Sequence, residues 1–271
     1  MADRDFTLPA VHGTYILNME TFHRAKEKTV LKKAFGNIDL TVITEEQFLD
    51  EFESRVHEGI KTNVFFLNAH CYNIAQTDRD YYRIINEADY LLNDGVGIEI
   101  GAKLFDIPLA GNLNGTDLTP KILKRCEKNG FSVFVLGATE TNLQSAIQHF
   151  RKDYPGLKIA GCHHGYFQSK HEIVAMINRS HADVLLVGMG VPLQEKFIAG
   201  FDQELSCTAR LGVGAFIDFA SGNVPRAPYL FRKLRIEWLF RLLREPKRLW
   251  KRNFGSLIFL CRILRYKWKH S

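Results

Sequence analysis

The middle of the chain alternates short runs of β-branched and aromatic residues with longer segments in which apolar residues recur at helical spacing. The short runs predict buried strands, and the three-to-four-residue spacing predicts amphipathic helices. The predicted strands are 38–43, 63–67, 90–93, 132–136, 158–161, 184–188 and 210–212, and the predicted helices are 45–57, 70–86, 117–129, 140–153, 170–180 and 193–205. This alternation indicates an α/β fold, with a Rossmann-like, mostly parallel sheet flanked by helices.

Two of the predicted helices begin with a pattern that is typical of an N-cap. Thr44 stands three residues before Gln47, which is the spacing of a capping box, and Thr139 stands directly before Glu140. These patterns predict where the helices begin and, with them, where the preceding strands end.

Glycine residues follow four of the predicted strands. They stand at 95 and 97, at 137, at 188 and 190, and at 212 and 214. Ligands of open parallel sheets bind at the carboxyl ends of the strands, where glycine lets the backbone approach a ligand closely. Because such turns are also common in any α/β fold, no single one of them defines a site.

The glycine turns do not match the usual nucleotide motifs. None reads G-x-x-x-x-G-K-[ST], and Ile100 and Ile217 stand where a G-x-G-x-x-G motif would need its third glycine. A nicotinamide-dependent Rossmann oxidoreductase is therefore the weaker alternative function, and the sequence predicts no cofactor.

Asp94 is the strongest candidate for a catalytic residue. It stands at the tip of an apolar strand containing Leu91 and Leu92, and beside Gly95. Burial against apolar neighbours would raise the pKa of its carboxyl group toward the range that suits a general base. The alternative is a structural cap on the following helix. Asn68, at the end of strand 63–67, is a second polar side chain at the same edge.

Two polar clusters invite a metal interpretation. Cys162-His163-His164 makes a poor chelate, because adjacent strand residues point to opposite faces, so contact with a substrate phosphate or packing in a loop is favoured. Asp78-Arg79-Asp80 has the D-x-D form with which many sugar transferases hold a metal ion, but it lies between helical patterns, which favours a solvated surface. The sequence therefore predicts no metal site.

The charge of the chain is unevenly distributed. The 271 residues carry a formal net charge of +6, with 36 Lys and Arg against 30 Asp and Glu. Residues 226–269 hold 14 of these basic residues and two acidic ones, a net +12, so residues 1–225 carry a net −6. A basic tail on an acidic body implies a polyanionic partner: membrane phospholipid, nucleic acid or a phosphorylated substrate.

The tail has the pattern of membrane-surface helices. Between residues 227 and 243, apolar residues recur at four-residue spacing and interleave with arginines. After Pro246, Lys and Arg stand before and after a short apolar run, with Trp250, Tyr266 and Trp268 among them. Basic residues mixed with interfacial aromatics favour an anionic membrane surface over nucleic acid. The longest apolar run, 254–264, is shorter than the roughly 20 residues that a spanning helix needs.

The cysteine and leader patterns indicate a cytoplasmic protein. Five cysteines are scattered without C-x-x-C spacing, which favours reduced thiols over a disulfide framework. The start, MADRDF, lacks the basic and apolar stretch of a secretory signal.

Taken in chain order, the strand-end segments resemble the WecG/TagA/CpsF glycosyltransferases, glycosyltransferase family 26. The resemblance covers roughly residues 36–255 and rests on N-D-G-V-G at 93–97, G-T-D-L at 115–118, Y-P-G-L-K-I at 154–159 with H-H-G-Y-F at 163–167, G-V-P-L-Q-E-K at 190–196, G-V-G at 212–214 running to Asp218, R-A-P at 226–228, E-W-L at 237–239 and R-L-L-R-E-P-K-R at 241–248.

The resemblance implies an inverting, metal-independent transfer of a sugar from a UDP-sugar to a polyprenyl-diphosphate-linked glycan. The donors of the family are of the N-acetylmannosamine, N-acetylmannosaminuronic acid or glucose type, and its products are bacterial cell-surface polysaccharides. The proposed catalytic base of the family falls on Asp94, its strand-end Asn on Asn68 and the Gln of its P-x-Q-E segment on Gln194. Location on the inner face of the cell membrane, as a peripheral protein, follows from the same resemblance.

The candidate site residues combine the strand ends with the basic tail. Asp94 is the catalytic candidate, and the candidate substrate-binding residues are Asn68, Gly95, Thr116, Asp117, Gly137, His164, Gln194, Glu195, Gly214, Asp218, Arg226, Arg232, Arg241 and Arg244. One departure is that many family members read T-P-N where this chain has Phe66-Leu67-Asn68, so a hydroxyl near the substrate is missing.

The sequence predicts three parts. Residues 1–35 form an N-terminal extension without an assigned role, residues 36–225 form the α/β glycosyltransferase core, and residues 226–271 form a basic amphipathic appendage that binds membrane and acceptor. The expected partners are the UDP-sugar donor, the lipid-linked acceptor and the anionic membrane, with no nucleic acid; a homo-oligomer is left open.

Overall fold

Six strands form a parallel sheet whose order is β4-β3-β8-β7-β5-β6. The computed structural model describes residues 31–224, 227 and 246–270. The strands are β1 Lys32–Phe35, β2 Ile38–Thr41, β3 Thr62–Leu67, β4 Tyr90–Asn93, β5 Ser132–Gly137, β6 Lys158–His163, β7 Val184–Gly188 and β8 Ala209–Gly212. The α/β class and the parallel sheet predicted from the sequence are confirmed.

Helices connect the strands. In chain order, the helices of the described residues are α1 Glu45–His57, α2 Ala69–Ala75, α3 Arg79–Glu87, α4 Val96–Leu104, α5 Gly115–Asn129, α6 Glu140–Asp153, α7 Lys170–Arg179, α8 Leu193–Gly200, α9 Phe216–Ala220 and α10 Pro246–His270. Both predicted caps are confirmed: Thr44 and Gln47 form a reciprocal capping box on α1, and the Thr139 side chain accepts from the Asn142 N–H on α6.

Three elements differ from the prediction. The segment predicted as one helix over 70–86 is two helices, because Asp78 caps α3 by accepting from the Tyr81 N–H and so starts a new helix. The strand predicted over 38–43 ends at Thr41 and pairs antiparallel with β1, outside the parallel sheet. β1 itself was missed because three of its four residues are exposed, so it shows no apolar run.

Helix α4 was also missed, because its sequence carries two glycines at helical spacing. A Cβ on Gly97 would lie 3.6 Å from the Phe259 ring, and a Cβ on Gly101 would overlap the Phe35 ring. Glycine disfavours a helix in isolation. Here it lets neighbouring aromatic side chains approach the helix axis, so packing decides the outcome.

The central strands are buried on both faces. All five residues of β7 and all four residues of β8 are buried. A parallel sheet covered by helices on both sides requires mostly apolar strands, since neither face meets water, and in β8 the buried Arg210 is a charged exception. The apolar sheet therefore leaves its two ends as the places where polar side chains can gather.

Helix α10 is packed against the core through one face. Phe259 and Ile263 are buried, and the Phe259 ring lies 5.2 Å from the Tyr72 ring and 6.2 Å from the Phe35 ring. The Arg262 guanidinium donates to the backbone oxygen and to Oδ1 of Asn73. The tail pattern at 227–243 lies outside the described residues, apart from the buried Ala227.

The amino end of the sheet holds a buried ionic network. The Arg210 side chain, 1% exposed, donates to Asp202 Oδ1 at 2.9 Å and to Asn63 Oδ1 at 2.8 Å. Burial lowers the Arg210 pKa, while Asp202 acts in the opposite direction. A buried guanidinium needs such partners, because an unpaired charge in the interior is strongly destabilising.

We expect Asp202→Ala to lower the free energy of unfolding by about 3 kcal/mol, because it leaves the buried Arg210 without a charged partner. Urea unfolding at pH 7 measures the change. Gln168→Ala, at an exposed residue away from the network, is the control and should change stability by less than about 0.5 kcal/mol. Equal stability of the two variants would contradict a structural role for the pair.

Candidate active site

Asn68 and Asp94 lie side by side at the carboxyl end of the sheet. Their strands β3 and β4 pair in parallel with Leu67 opposite Asn93, so the next residue of each chain segment is also adjacent. The Asn68 Nδ2 donates to Asp94 Oδ2 at 3.2 Å. The sequence placed both residues at this edge, and the structure brings them into hydrogen-bond contact.

Each member of the pair is held by its own backbone surroundings. The Asn68 Oδ1 accepts from the N–H groups of His70 and Cys71 and thereby caps α2, which fixes the orientation of its amide. The Asp94 N–H donates to the Leu67 carbonyl and extends the β3–β4 ladder beyond the strand. The Asp94 side chain is half-buried, so one part of it faces solvent.

Hydrogen bonds to residues 111–113 fix the turn around Asp94. Gly95 has φ +90°, a conformation that favours glycine, and its N–H donates to Asn112 Oδ1 at 2.9 Å. The buried Asn93 side chain donates to the Gly111 carbonyl at 2.7 Å. Asn93 and Asn112 were not identified as candidates, because their contacts span 18 and 17 residues, respectively, and leave no local signal.

The ends of β5, β6 and β7 form a tightly packed backbone floor at the same edge. The Ala138 N–H donates to the Gly188 carbonyl, and the Ala138 carbonyl accepts from the Gly165 N–H. A Cβ on Gly137 would overlap the Gly188 backbone, so only glycine fits there. For Gly137 the glycine requirement therefore comes from backbone packing, whereas a Cβ on Gly188 would meet the Ile217 side chain at 2.7 Å and the Gly214 carbonyl at 2.9 Å.

Gln194 and Glu195 lie behind this floor, where both are buried. The Gln194 Oε1 accepts from the Gly214 N–H at 3.0 Å, and its Nε2 donates to Glu195 Oε1 at 2.9 Å. Burial raises the pKa of Glu195 to about 7. The sequence identified both residues but gave no sign that they are buried.

Thr116 and Asp117 lie on the first turn of α5. Asn114 caps this helix: its Oδ1 accepts from the Asp117 N–H, and its Nδ2 donates to Asp117 Oδ2 at 2.7 Å. The preceding Gly115 is buried with the Phe66 ring 3.2 Å from the position of a Cβ. This turn is therefore packed on Phe66, which stands two residues before Asn68.

His164 follows the edge strand β6, beside Gly165 of the floor. Its Nδ1 accepts from the Tyr166 N–H at 3.1 Å. Asp218 lies on α9, where its Oδ1 accepts from Asn142 Nδ2 at 2.8 Å. Arg226, Arg232, Arg241 and Arg244 lie outside the described residues.

Asp78 of the D-x-D sequence has two partners of its own. Its Oδ1 caps α3, and its Oδ2 pairs with Lys196 Nζ at 2.6 Å. Hydrogen bonding to Lys196 lowers the pKa of this carboxyl group. Among the described residues, no group of three or more His, Cys, Asp or Glu side chains is arranged to hold a metal ion.

Comparison with known proteins identifies the relatives of this fold. The sequence profile described as "Glycosyl transferase WecG/TagA/CpsF family" matches residues 33–271. A Staphylococcus aureus (strain MW2) protein named N-acetylglucosaminyldiphosphoundecaprenol N-acetyl-beta-D-mannosaminyltransferase is 32% identical over 235 residues, which cover 86% of this chain and 92% of that protein. A protein of the same name from Bacillus spizizenii is 32% identical over 187 residues, which cover 69% of this chain and 72% of that protein.

A match of this extent replaces the oxidoreductase alternative, since the profile covers the whole sheet and α10 together. It confirms the resemblance that the strand-end motifs carry. The chain belongs to the WecG/TagA/CpsF family and is a glycosyltransferase.

Proposed function

We propose that this glycosyltransferase moves a sugar from a UDP-sugar to a polyprenyl-diphosphate-linked glycan, with inversion and without a metal ion, in bacterial cell-surface polysaccharide biosynthesis. The observation that carries the proposal is the contact between Asn68 and Asp94 at the carboxyl end of the sheet. The names of the two relatives support a lipid-diphosphate acceptor and an N-acetylmannosamine donor. N-acetylmannosaminuronic acid and glucose are the competing donors.

In the proposed reaction, Asp94 acts as the general base. It accepts the proton of the acceptor hydroxyl while the hydroxyl oxygen forms a bond to the anomeric carbon. The bond from that carbon to the diphosphate oxygen breaks, and UDP leaves with the electron pair. The Asn68 Nδ2 orients the carboxylate, and its own position is set by the α2 cap.

The leaving diphosphate needs positive potential. We assign this task to the backbone N–H groups of the turns after β5 and β7, together with the basic residues of the tail. Thr116, Asp117, His164 and Asp218 surround this edge as candidate contacts for the two substrates. Gly95 and Gly214 shape the backbone there through positive φ angles.

We expect Asp94→Asn to reduce sugar transfer by about 10²–10⁴-fold, because the amide cannot accept the acceptor proton. UDP release in the presence of a defined undecaprenyl-diphosphate acceptor measures the rate, and thermal unfolding checks the fold. Asp80→Asn, at an exposed residue of the D-x-D sequence, is the control and should keep full activity. Undiminished turnover by Asp94→Asn would remove this residue as the base.

We expect transfer to continue in excess EDTA at the untreated rate. The physical reason is that Asp78, the less exposed carboxylate of the D-x-D sequence, already pairs with Lys196 and caps α3. The assay is repeated with added Mg²⁺ and Mn²⁺. A rate that falls in EDTA and returns with a divalent ion would restore the D-x-D interpretation.

The outer face of α10 supports a membrane-surface role. Leu257, Leu260, Leu264 and Trp268 recur at three- and four-residue spacing, and all four are exposed, Trp268 by 85%. At 3.6 residues per turn they form a stripe on a face separate from that of the buried Phe259 and Ile263, which we call the outer stripe. No helix among the described residues combines the length and apolar character that crossing a bilayer requires.

Basic side chains flank the outer stripe on both sides. Arg265 lies on one side of it, and Lys267, which pairs with Asp106 at 3.7 Å, lies on the other. An apolar stripe between cations suits an interface with anionic lipid. We therefore propose that α10 attaches the enzyme to the cytoplasmic face of the membrane, where the lipid-linked acceptor is located.

We expect replacement of Leu257, Leu264 and Trp268 by Gln to lower binding to phosphatidylglycerol vesicles at least about tenfold, because each loses roughly 1–2 kcal/mol of apolar transfer energy. Vesicle sedimentation measures the binding. Ile60→Gln, an exposed apolar residue beside β3, is the control and should bind as the unchanged protein does. Substitution is preferred to truncation, because α10 buries Phe259 and Ile263 in the core. Unchanged sedimentation would contradict the membrane proposal.

A further inference from the structure

Glu195 is a buried acid with an incomplete set of hydrogen bonds. Its side chain is 0% exposed, and its Oε1 accepts from Gln194. Within the part of the chain that the structure describes, Oε2 has no hydrogen-bond partner. Buried carboxyl oxygens are normally paired, so this arrangement needs a reason beyond packing.

Gln194 connects this acid to the backbone of the site. Its amide lies between Glu195 and Gly214, with Nε2 toward the first and Oε1 toward the second. An amide can in general face either way. Both partners favour the observed direction: the Gly214 N–H can only donate and so faces Oε1, and the Glu195 Oε1 accepts from Nε2 and holds the other end of the amide.

The Gly214 turn bears directly on the floor. Gly214 has φ +56°, and its carbonyl lies 2.9 Å from the position that a Cβ on Gly188 would take. Gly188 in turn accepts the Ala138 N–H. A Cβ on Gly212 would lie 2.8 Å from Gln194 Nε2, so glycine at this position makes room for the amide.

We infer that Glu195 is a positioning residue of the transferase. It sets the amide of Gln194, which holds the Gly214 turn against the ends of β5 and β7 where the substrates bind. On this assignment Glu195 contacts neither donor nor acceptor, in contrast to the direct contact expected from the sequence. The inference rests on the proposed function for what the turn does, and on the contacts above for how the turn is held.

We call the contacts from Glu195 through Gln194 to the Gly214 N–H the relay. Protonation of Glu195 leaves this relay intact. Burial raises the Glu195 pKa to about 7, and a proton on the unpartnered Oε2 leaves Oε1 free to accept from Gln194. The buried titratable groups around it are the Cys71 thiol, whose pKa burial raises to about 12, and the Tyr81 hydroxyl, whose pKa burial also raises. Glu195→Gln therefore resembles the protonated acid, since its amide oxygen can accept in the same way.

The test compares Glu195→Gln with Glu195→Met, which is of similar size but cannot accept. We expect Glu195→Gln to keep kcat and both KM values within about twofold, and Glu195→Met to lose kcat at least about tenfold while it stays folded. If Glu195→Gln is as impaired as Glu195→Met, the carboxyl group itself takes part in the reaction and the inference is wrong. Full activity of Glu195→Met overturns it as well.

A measurement that needs no substrate separates this inference from the proposed function. Hydrogen exchange of the Gly214 N–H should be slow in the unchanged protein and in Glu195→Gln, and at least about tenfold faster in Glu195→Met. Slow exchange in all three proteins overturns the relay even when transfer is observed. Absence of UDP release from the unchanged protein counts against the proposed function and leaves the exchange result to judge the relay.

A second variant covers a folding failure of Glu195→Met. Gln194→Met breaks the bond to Gly214 with Glu195 intact, and we expect the same loss of kcat and the same faster exchange. Where Glu195→Met folds, adding it to Gln194→Met should cost nothing further, because Glu195 acts only through Gln194. Full activity and slow exchange in Gln194→Met would overturn the inference.

Discussion

The parallel register of β3 and β4 is the constraint on which the site depends. Leu67 lies opposite Asn93, and the Asp94 N–H continues the ladder by donating to Leu67. A slip of one residue would turn Asp94 to the other face of the sheet and separate it from Asn68. Both strands are buried along nearly their whole length, so the pairing that packs the core also places the two site residues side by side.

The helices that carry this pair also hold α10. Asn68 caps α2, and Gly95 caps α4. The Phe259 ring of α10 packs beside Gly97 at the start of α4, 3.6 Å from where a Cβ would lie. Asn73 donates to the Gly255 carbonyl and accepts from Arg262. Helix α10 is thus attached to the helices that follow both members of the pair, so on the proposed membrane attachment a surface that holds α10 also orients the pair.

Local chemistry made much of this fold readable from the sequence. The bounds of α1 and α6 follow from caps at Thr44 and Thr139, and the polar strand ends at Asn68 and Asp94 follow from apolar runs that stop there. The missing parts depend on contacts between distant residues. Helix α4 is stabilised by aromatic side chains that pack against its glycines. Asn112 accepts a hydrogen bond from Gly95, which is 17 residues away in the sequence. Glu195 is buried although the motif that contains it is polar.

The two ends of the sheet treat buried polar groups differently. At the amino end, Arg210 is paired with Asp202 and Asn63, and every one of these contacts serves the fold. At the carboxyl end, Glu195 keeps an oxygen without a hydrogen bond among the described residues and carries a raised pKa. Leaving a buried acid partly unsatisfied costs stability. Among the described residues, this cost falls beside the backbone turns that we propose are held for a ligand, and sites of function commonly carry such a cost.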